Sequence, residues 1–206
     1  WERLLPEEEA VAALLRLGAG ERLWESLFRG RAYEALLQVL PPGVRPELRA
    51  QALFRLGRYR EALPHYQAWA EADPRGFLGL GYALWRLGRR EEALAAFARY
   101  PHPEARYAQG RVLEELGRVE EALAFYRGST PEGLWRATAL LERLGRGGEA
   151  LPLYLELART PSPYADDAAL RALVLAEALG DAEAREAAWG LLEGGLGLLV
   201  GKVPKP

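Results

Sequence analysis

The chain has 206 residues, of which 50% are hydrophobic and 27% charged, and its formal net charge is −2. This is the composition of a globular protein, and the near balance of charges excludes a strong basic field that would attract nucleic acid. The absence of cysteine excludes disulfides, thiolate nucleophiles and cysteine metal sites. No apolar run approaches the roughly 18–20 residues that a membrane span requires. Arginine supplies nearly all the positive charge, and the lack of Met and Asn makes the composition thermophile-like.

The first predicted element is an N-terminal capping helix within residues 1–18. It covers about residues 6–17, with Pro6 in its first turn and the acidic residues Glu7, Glu8 and Glu9 at its positive end. Because this acidic start is not a signal peptide, we expect a cytoplasmic location. The chain begins at Trp1 rather than Met, which leaves a processed extracytoplasmic chain or a fragment of a longer protein open.

Residues 19–193 contain a repeated phrase, Leu-Gly-Arg followed by Glu-Ala-Leu. The four clear copies are 56–63, 87–94, 116–123 and 144–151, with a looser copy at 30–36 and a degraded one at 179–181. The glycines of the six copies are 27, 31, 29, 28 and 35 residues apart. They are Gly30, Gly57, Gly88, Gly117, Gly145 and Gly180. A repeat of this length is typical of proteins built from stacked helix pairs.

Each position of the repeat has a physical role in a pair of helices, A and B. The glycine ends helix A, because the left-handed conformation at a helix C-terminus is nearly free only for glycine. The acidic residue lies near the positive end of helix B, and the small alanine after it allows close approach. An aromatic residue nine positions after the glycine fills the layer between repeats. These residues are Tyr66, Phe97, Tyr126, Tyr154 and Trp189, with Val39 in the first copy.

The pattern predicts six helix pairs. They cover about 21–29 with 31–40, 45–56 with 59–72, 75–87 with 90–100, 103–116 with 119–128, 131–144 with 147–159, and 165–179 with 182–193. Asp181 is suited to cap the last helix. Pro64 and Pro152 lie near the starts of two B helices and predict that those helices start late or bend there. The stretches 41–43 and 161–163 are predicted loops rather than linkers, so we predict a single domain, 1–206.

Residues 194–206 are predicted to be a C-terminal apolar segment and tail. The pair Gly194-Gly195 predicts a helix break. The apolar residues 196–200 would then either fold back over the last pair or insert into another molecule, which would produce a homo-oligomer. The tail from Lys202 to Pro206 is basic and contains proline, and we expect it to be disordered.

Together these features resemble the tetratricopeptide repeat (TPR) family: a small residue in helix A, a Leu-Gly turn, a Glu-Ala start of helix B and an aromatic. The resemblance covers roughly residues 16–193. It implies an all-α fold, a right-handed α-solenoid of antiparallel helix pairs, and the work of a non-enzymatic scaffold or adaptor for protein partners. Four of the five spacings are shorter than the usual 34 residues, which implies shorter helices and tighter loops in those copies.

In this family helix A of each pair lines the concave surface, so the resemblance implies a binding face of aromatic and arginine side chains. Its predicted residues are Phe54, Arg55, Tyr82, Trp85, Arg86, Tyr107, Arg111, Trp135 and Arg143. Trp24 and Val174 are the candidates for its two ends. Aromatic residues and arginine are enriched at interface hot spots, and aromatic slots suit extended proline-containing peptides. The alternative is that these aromatics simply pack between repeats.

The best-known peptide-binding members of the family hold a C-terminal carboxylate with lysine and asparagine side chains, which have no counterpart here. At one such position this chain has Glu47, Leu78, Tyr107 and Trp135, and at the other it has Gln51, Tyr82, Arg111 and Ala139. The sequence therefore does not predict recognition of an acidic peptide end.

No residue pattern predicts catalysis. The only histidines, His65 and His102, have no third ligand at metal-binding spacing, and we interpret them as a helix-surface and a loop residue. The glycines of 76–81 follow no strand, so we attribute them to close helix packing. We predict no enzyme activity, no metal and no cofactor, and a protein or peptide partner. The alternatives are a structural module of a larger assembly or a self-associating oligomer, and more remotely a helical-repeat nucleic-acid binder.

Overall fold

The computed structural model describes residues 19–200, with side chains for residues 20–193. Over this range the chain forms twelve α-helices and no strand, which confirms the prediction of an all-α fold. The predicted capping helix at 6–17 and the tail after Val200 lie outside the described residues.

The helices alternate as A and B members of six pairs. They are α1 (Ala19–Arg29), α2 (Tyr33–Val39), α3 (Pro46–Arg55), α4 (Tyr59–Ala72), α5 (Gly76–Arg86), α6 (Arg90–Ala98), α7 (Pro103–Glu115), α8 (Val119–Arg127), α9 (Pro131–Arg143), α10 (Gly147–Arg159), α11 (Ala165–Leu179) and α12 (Ala182–Val200). They form two compact units, with α1–α6 before Tyr100 and α7–α12 after Pro101. Within each unit, consecutive helices pack against one another. The organisation as a single domain stays a prediction.

Glycine ends helix A in five of the six pairs, as the repeat predicts. Gly57, Gly88, Gly117, Gly145 and Gly180 have φ between 70° and 77°. At the first of them, the N–H of the following arginine donates to the carbonyl of Leu53, and the glycine N–H donates to that of Phe54. These bonds satisfy carbonyls that the helix end leaves without intrahelical donors.

The first pair is shifted by one residue relative to the sequence alignment. Arg31, not Gly30, has the left-handed conformation there, with φ 59°. Its N–H donates to the carbonyl of Phe28, as the glycine N–H does in the later pairs. Leu36 and Leu40 consequently occupy the buried places that Ala62 and Tyr66 have in the second pair. The alignment of Gly30 and Val39 with the repeat was therefore wrong by one position.

An arginine and a glutamate three residues later join the loop to the first turn of helix B in four pairs. The Nε of the arginine donates to the carboxylate over 2.6–2.8 Å. The pairs are Arg58–Glu61, Arg89–Glu92, Arg118–Glu121 and Arg146–Glu149. Each arginine is itself the N-cap residue of its helix, and none provides a side-chain cap. The ion pair thus holds an N-terminus that lacks Ser, Thr, Asp or Asn at the cap.

Small residues in helix A allow the repeat aromatics to be buried. A Cβ atom built on Gly81 would lie 2.5 Å from the Phe97 ring, and one on Gly110 would lie 2.5 Å from the Tyr126 ring. A Cβ atom on Gly79 would lie 2.0 Å from Tyr66, the aromatic of the preceding pair. Phe97 and Tyr126 are therefore each contacted by helix A of their own pair. Tyr66 is contacted by helix A of the following pair. The glycines of 76–81 serve this packing, as predicted.

Of the two alternatives predicted at Pro64 and Pro152, the late helix start was wrong, and the bend stays a prediction. Helices α4 and α10 begin at Tyr59 and Gly147, and Pro64 and Pro152 lie inside them on exposed positions. A proline removes one backbone donor from the helix ladder, and at an exposed site water can hydrogen-bond to the carbonyl that is left.

The last helix is longer than predicted. It continues through Gly194-Gly195 to Val200, so the predicted break at this pair was wrong. A glycine inside a helix costs only about 1 kcal/mol relative to alanine, and the flanking leucines favour the helix. Residues 196–200 therefore extend α12. At its start, the predicted cap is confirmed, because Asp181 accepts a 2.9 Å hydrogen bond from the N–H of Ala184.

Candidate functional site

In the first unit, the A helices α3 and α5 contact each other and carry five of the predicted binding residues. Phe54 on α3 is half-buried, with its ring centroid 5.0 Å from that of Tyr59 and 6.3 Å from that of Tyr66. Tyr82 on α5 packs edge-on against the buried Phe97 at 5.2 Å. These aromatics thus have one side in the core and one side accessible.

Tyr82 also stacks on Trp85, with their centroids 6.1 Å apart and their planes 23° from parallel. Both rings are half-buried. The neighbouring Arg55 and Arg86 are exposed, and neither forms an ion pair with any carboxylate of the described residues. This face, formed by Phe54, Arg55, Tyr82, Trp85 and Arg86, is called the first-unit face below. It combines half-buried aromatic side chains with two exposed arginines that pair with no carboxylate in the part of the chain that the structure describes.

In the second unit, the A helices α7 and α9 also contact each other. Trp135 on α9 lies 5.8 Å from the buried Tyr154 in an edge-on arrangement, and it stacks on Tyr164 at 5.6 Å with planes 18° apart. Tyr107 on α7 lies 6.0 Å from Tyr126. Tyr107 and Trp135 thus pack on the repeat aromatics of their own pairs, as Phe54 and Tyr82 do in the first unit.

The arginines of the second unit belong to a cluster of charged residues. The carboxylate of Glu114 accepts 2.8 Å bonds from Arg136 and Arg143 and a 2.7 Å bond from the Tyr126 hydroxyl. Its side chain is only 15% exposed, so these bonds replace most of its hydration.

A second bond of this kind lies on the same pair of A helices. The Tyr107 hydroxyl donates to Glu132 over 2.7 Å and accepts a 3.4 Å bond from Arg111. The predicted binding residues Tyr107, Arg111 and Arg143 thus lie in networks that contain Glu132 or Glu114. A carboxylate of a partner would compete with these glutamates for the hydrogen-bond donors.

The charge cluster shifts the titration of its two buried members. Burial disfavours the charged form of Glu114, but the hydrogen bonds from Arg136 and Tyr126 outweigh it, so the pKa of this carboxyl is lowered. Burial raises the pKa of Tyr126, and its bond to the Glu114 carboxylate raises it further. Glu114 is consequently ionised and Tyr126 neutral at pH 7.

Of the two residues predicted to end the binding face, Trp24 is buried and Val174 is exposed. Trp24 is 2% exposed and packs in a core cluster with Leu36, Leu40 and Leu48, so its place on the binding face was wrong. Val174 at the other end is 60% exposed, and it lines the groove described next.

A groove of about 880 Å³ lies between α11 and α12 of the last pair. Its apolar wall includes Leu173, Val174, Ala178 and Trp189, and its charged edge includes Glu177, Arg185 and Glu186. Sequence reasoning missed this groove because Trp189 matches the buried aromatic of the repeat. The sequence analysis also missed Arg136 and Tyr164, because neither occupies a position that recurs in the repeat. Arg136 contacts Glu114 and Tyr126, and Tyr164 contacts Trp135, all of them distant in sequence.

The two histidines, His102 and His65, lie at a helix N-terminus and on a helix. His102 caps α7, and its Nδ1 accepts a 3.3 Å bond from the N–H of Glu104, which refines its interpretation as a loop residue. His65 is half-buried, and burial followed by the charge of Arg49 lowers its pKa. Among residues 19–200 there is no group of three or more acidic, His or Cys residues that could hold a metal ion. No helix in this range is long and apolar enough to cross a membrane.

Helices in pairs, a glycine at the end of five of the six described A helices and a buried aromatic in four of the B helices define a helical-repeat protein. The sequence model of the tetratricopeptide repeat matches residues 47–102 and, overlapping them, residues 78–133. Residues 47–133 therefore match the tetratricopeptide repeat, and the resemblance found in the sequence is confirmed. A search of curated proteins found no match.

Solved structures with the same fold support this assignment. The C-terminal part of a TPR repeat-containing protein from Cytophaga hutchinsonii has a TM-score of 0.62 at 14% identity, covering 83% of this chain and 77% of that one. PilW, described as a widely conserved type IV pilus biogenesis factor, has a TM-score of 0.53 at 18% identity, with coverages of 85% and 91%. MamA has a TM-score of 0.50 at 16% identity, with coverages of 74% and 95%. At these identities the similarity concerns the fold, and it confirms the predicted fold class.

Proposed function

We propose that this protein is a non-catalytic scaffold that binds a segment of another protein through its A helices. The observation that carries the proposal is the first-unit face, where half-buried aromatic rings are followed in sequence by two exposed arginines that form no ion pair with a carboxylate of the described residues. Buried rings and compensated charges would be expected if these residues only stabilised the fold. Membership of a repeat family whose proteins generally hold protein partners supports the same function.

The chemistry of the first-unit face favours an extended peptide with alternating apolar and acidic side chains. Tyr82 and Trp85 offer flat apolar surface on which a proline or an aromatic side chain can lie. Arg55 and Arg86 each present a guanidinium group that can take a carboxylate side chain in a two-pronged hydrogen bond. The proposed partner therefore has internal acidic residues, whereas a clamp for a terminal carboxylate is absent.

The second-unit face is the weaker candidate for charge recognition. Arg143 and Arg111 are already engaged with Glu114 and Tyr107, so an incoming carboxylate would gain little. Its contribution would come from the half-buried Trp135, whose ring contacts those of Tyr154 and Tyr164. This difference predicts that binding depends more on the first unit than on the second.

Selection from a random peptide library displayed on phage, with the purified chain as bait, tests the proposal. The selected peptides are then titrated against the wild type and the double variant Arg55→Glu/Arg86→Glu. Both arginines are exposed, so the double variant should fold normally. The matched control is Arg60→Glu, an equally exposed arginine on the B helix α4. We expect acidic, proline-containing or aromatic peptides whose affinity falls at least about tenfold in the double variant and stays unchanged in the control.

Two results would contradict the proposal. Peptides that bind the double variant as tightly as the wild type would place their site elsewhere on the chain. Peptides that lose affinity equally in Arg60→Glu would show that net charge, and not the first-unit face, governs binding.

A further inference from the structure

The first unit carries the same two residue types at the end of each of its three A helices. The third residue before the left-handed residue that follows each helix is aromatic, and the second residue before it is arginine. The alignment of the sequence hides the first copy, because the left-handed residue there is Arg31 and not Gly30. The three copies, called the aromatic–arginine row below, are Phe28-Arg29, Phe54-Arg55 and Trp85-Arg86.

Ring contacts show that the first two copies of the row are equivalent in structure. The Phe28 ring lies edge-on to that of Tyr33 with centroids 5.5 Å apart, and the Phe54 ring lies edge-on to that of Tyr59 at 5.0 Å. All three aromatics of the row are half-buried, and all three arginines are exposed. The row therefore extends the first-unit face by one step, from two A helices to three.

The arginines of the row are available to carboxylates of a partner. Arg55 and Arg86 form no ion pair with a carboxylate of the described residues. Arg29 pairs with Glu25 over 3.7 Å, but the two side chains are 78% and 49% exposed. Because water and salt screen an ion pair this exposed, a carboxylate of a partner can replace Glu25.

The packing of the A helices sets the spacing of the row. Trp24 of α1 lies in one core cluster with Leu48 and Ala52 of α3, and α3 contacts α5. Since the axes of packed helices lie about 8–10 Å apart, equivalent residues of consecutive A helices recur at about this distance. The next A helix of the chain has Glu114 and Glu115 at the two positions, so the row has three steps.

We propose that the row binds a polyproline II segment with an acidic residue at every third position. Such a helix has three residues per turn and rises about 3.1 Å per residue, so every third side chain lies on one side, about 9 Å from the last. This spacing matches the row, whereas a β-strand places same-side residues about 6.6 Å apart. The aromatic member of each step also favours this form, because proline-rich helices dock on aromatic side chains.

This inference rests on the function proposed above, and it adds Arg29 to the binding face and a fixed spacing to the partner. Each acidic side chain would bind one arginine, and the intervening residues would lie along the half-buried aromatics. The three contacts belong to one ligand, so the second and third form at the high effective concentration of a linked group. A partner with the same charges at other spacings would engage one arginine at a time.

Two synthetic peptides of equal composition test the spacing. Each has three glutamates, six prolines, blocked termini and a fluorescein label. The first repeats Glu-Pro-Pro three times. The second alternates Glu-Pro three times before the remaining prolines, so that no two of its carboxylates lie on the same side of the polyproline helix. Fluorescence anisotropy with the full chain at low salt measures each Kd, and we expect the first peptide to bind at least about fivefold more tightly.

Arg29→Gln tests the step that the sequence alignment hides. We expect it to weaken binding of the Glu-Pro-Pro peptide about three- to fivefold, and to change the affinity for the alternating peptide less than about twofold. The matched control is Arg60→Gln, an equally exposed arginine on the B helix α4, which should bind both peptides like the wild type. Circular dichroism checks that both variants keep the helical fold.

Equal affinities of the two peptides for the wild type would overturn the inference, and so would the absence of binding by both. An Arg29→Gln variant that binds the Glu-Pro-Pro peptide like the wild type would overturn it as well. The library peptides and the Arg55→Glu/Arg86→Glu variant test the proposed function separately. If those peptides depend on Arg55 and Arg86 while spacing and Arg29 have no effect, the polyproline inference fails and the proposed function stands.

Discussion

The Tyr126 hydroxyl donates a 2.7 Å hydrogen bond to Glu114, which lies twelve residues earlier on helix A of the same pair. Tyr126 is the repeat aromatic, and Arg136 of the following pair bonds both to its hydroxyl and to Glu114. The residue that fills the layer between repeats therefore also joins three successive helices through polar contacts. A tyrosine at this position can do this and a phenylalanine cannot.

We expect Tyr126→Phe to lower the free energy of unfolding by about 1 kcal/mol. The substitution keeps the ring in its buried place but removes one hydrogen bond to a charged, mostly buried carboxylate. Urea denaturation followed by circular dichroism measures the change. The control is Tyr59→Phe, whose hydroxyl has no hydrogen-bond partner in the described residues and whose ring contact with Phe54 is kept. Equal effects of the two substitutions would show that the bond to Glu114 contributes nothing.

Glu114 should make stability depend on pH in the acid range. Its pKa in the folded state is lowered, because its hydrogen bonds to Arg136 and Tyr126 outweigh the effect of burial. The stabilisation is therefore fully present above the unfolded value of about 4.3 and is lost as pH falls through the lower folded pKa. Denaturation at several pH values between 3 and 7 should show a smaller acid loss for Glu114→Gln than for the wild type.

The control for this experiment is Glu71→Gln, which removes an exposed carboxyl group that forms no ion pair in the described residues. It should keep the acid loss of the wild type. At pH 7 Glu114→Gln should also be less stable than Glu71→Gln, because Arg136 and Arg143 lose their anionic partner. A Glu114→Gln curve parallel to that of the wild type would contradict the assigned pKa direction.

Much of the fold could be predicted from the sequence because each position of the repeat phrase has a local structural role, such as ending a helix or allowing close packing. Every described helix end except that of α12 lies within two residues of its predicted position. In the four middle copies the glycines, the small residues opposite the aromatics and the aromatics themselves have the predicted roles. In the four middle copies, local propensity, turn chemistry and burial all indicate the same structure, so the prediction was reliable there.

The rest depends on contacts that the repeat does not encode. The shift of the first pair arises at Arg31, which has a conformation that sequence patterns assign to glycine. The charge cluster around Glu114 joins residues up to 29 positions apart, and Arg136 stands at no repeat position. Trp189 matches the buried aromatic of the repeat in sequence but is 53% exposed, because a sequence match does not report which side chains pack against the ring.

Arg31→Gly should stabilise the protein. A left-handed conformation costs a side-chain-bearing residue roughly 1–2 kcal/mol, of which glycine returns a part as extra entropy of the unfolded chain. The expected net gain is about 0.5–1 kcal/mol, or a rise of the melting temperature by roughly 1–4 °C for a chain of this size. Thermal unfolding measures it. Arg31→Ala is the control, because it removes the same side chain but keeps the Cβ atom. A gain as large in Arg31→Ala would assign the effect to the side chain rather than to the backbone.

Gly110→Ala should destabilise the protein by about 1–3 kcal/mol, because one methyl group is too large for the contact between α7 and α8. A Cβ atom at this position would lie 2.5 Å from the Tyr126 ring, which is itself fully buried and held by its bond to Glu114. The ring therefore cannot move aside without breaking that bond.

The matched control is Gly148→Ala in the first turn of α10, where a Cβ atom meets nothing within 4 Å. Because alanine favours the helix over glycine, the control should be neutral or stabilising by up to about 1 kcal/mol. Urea denaturation of both variants measures the difference, and a neutral Gly110→Ala would show that the two helices are not as close as described.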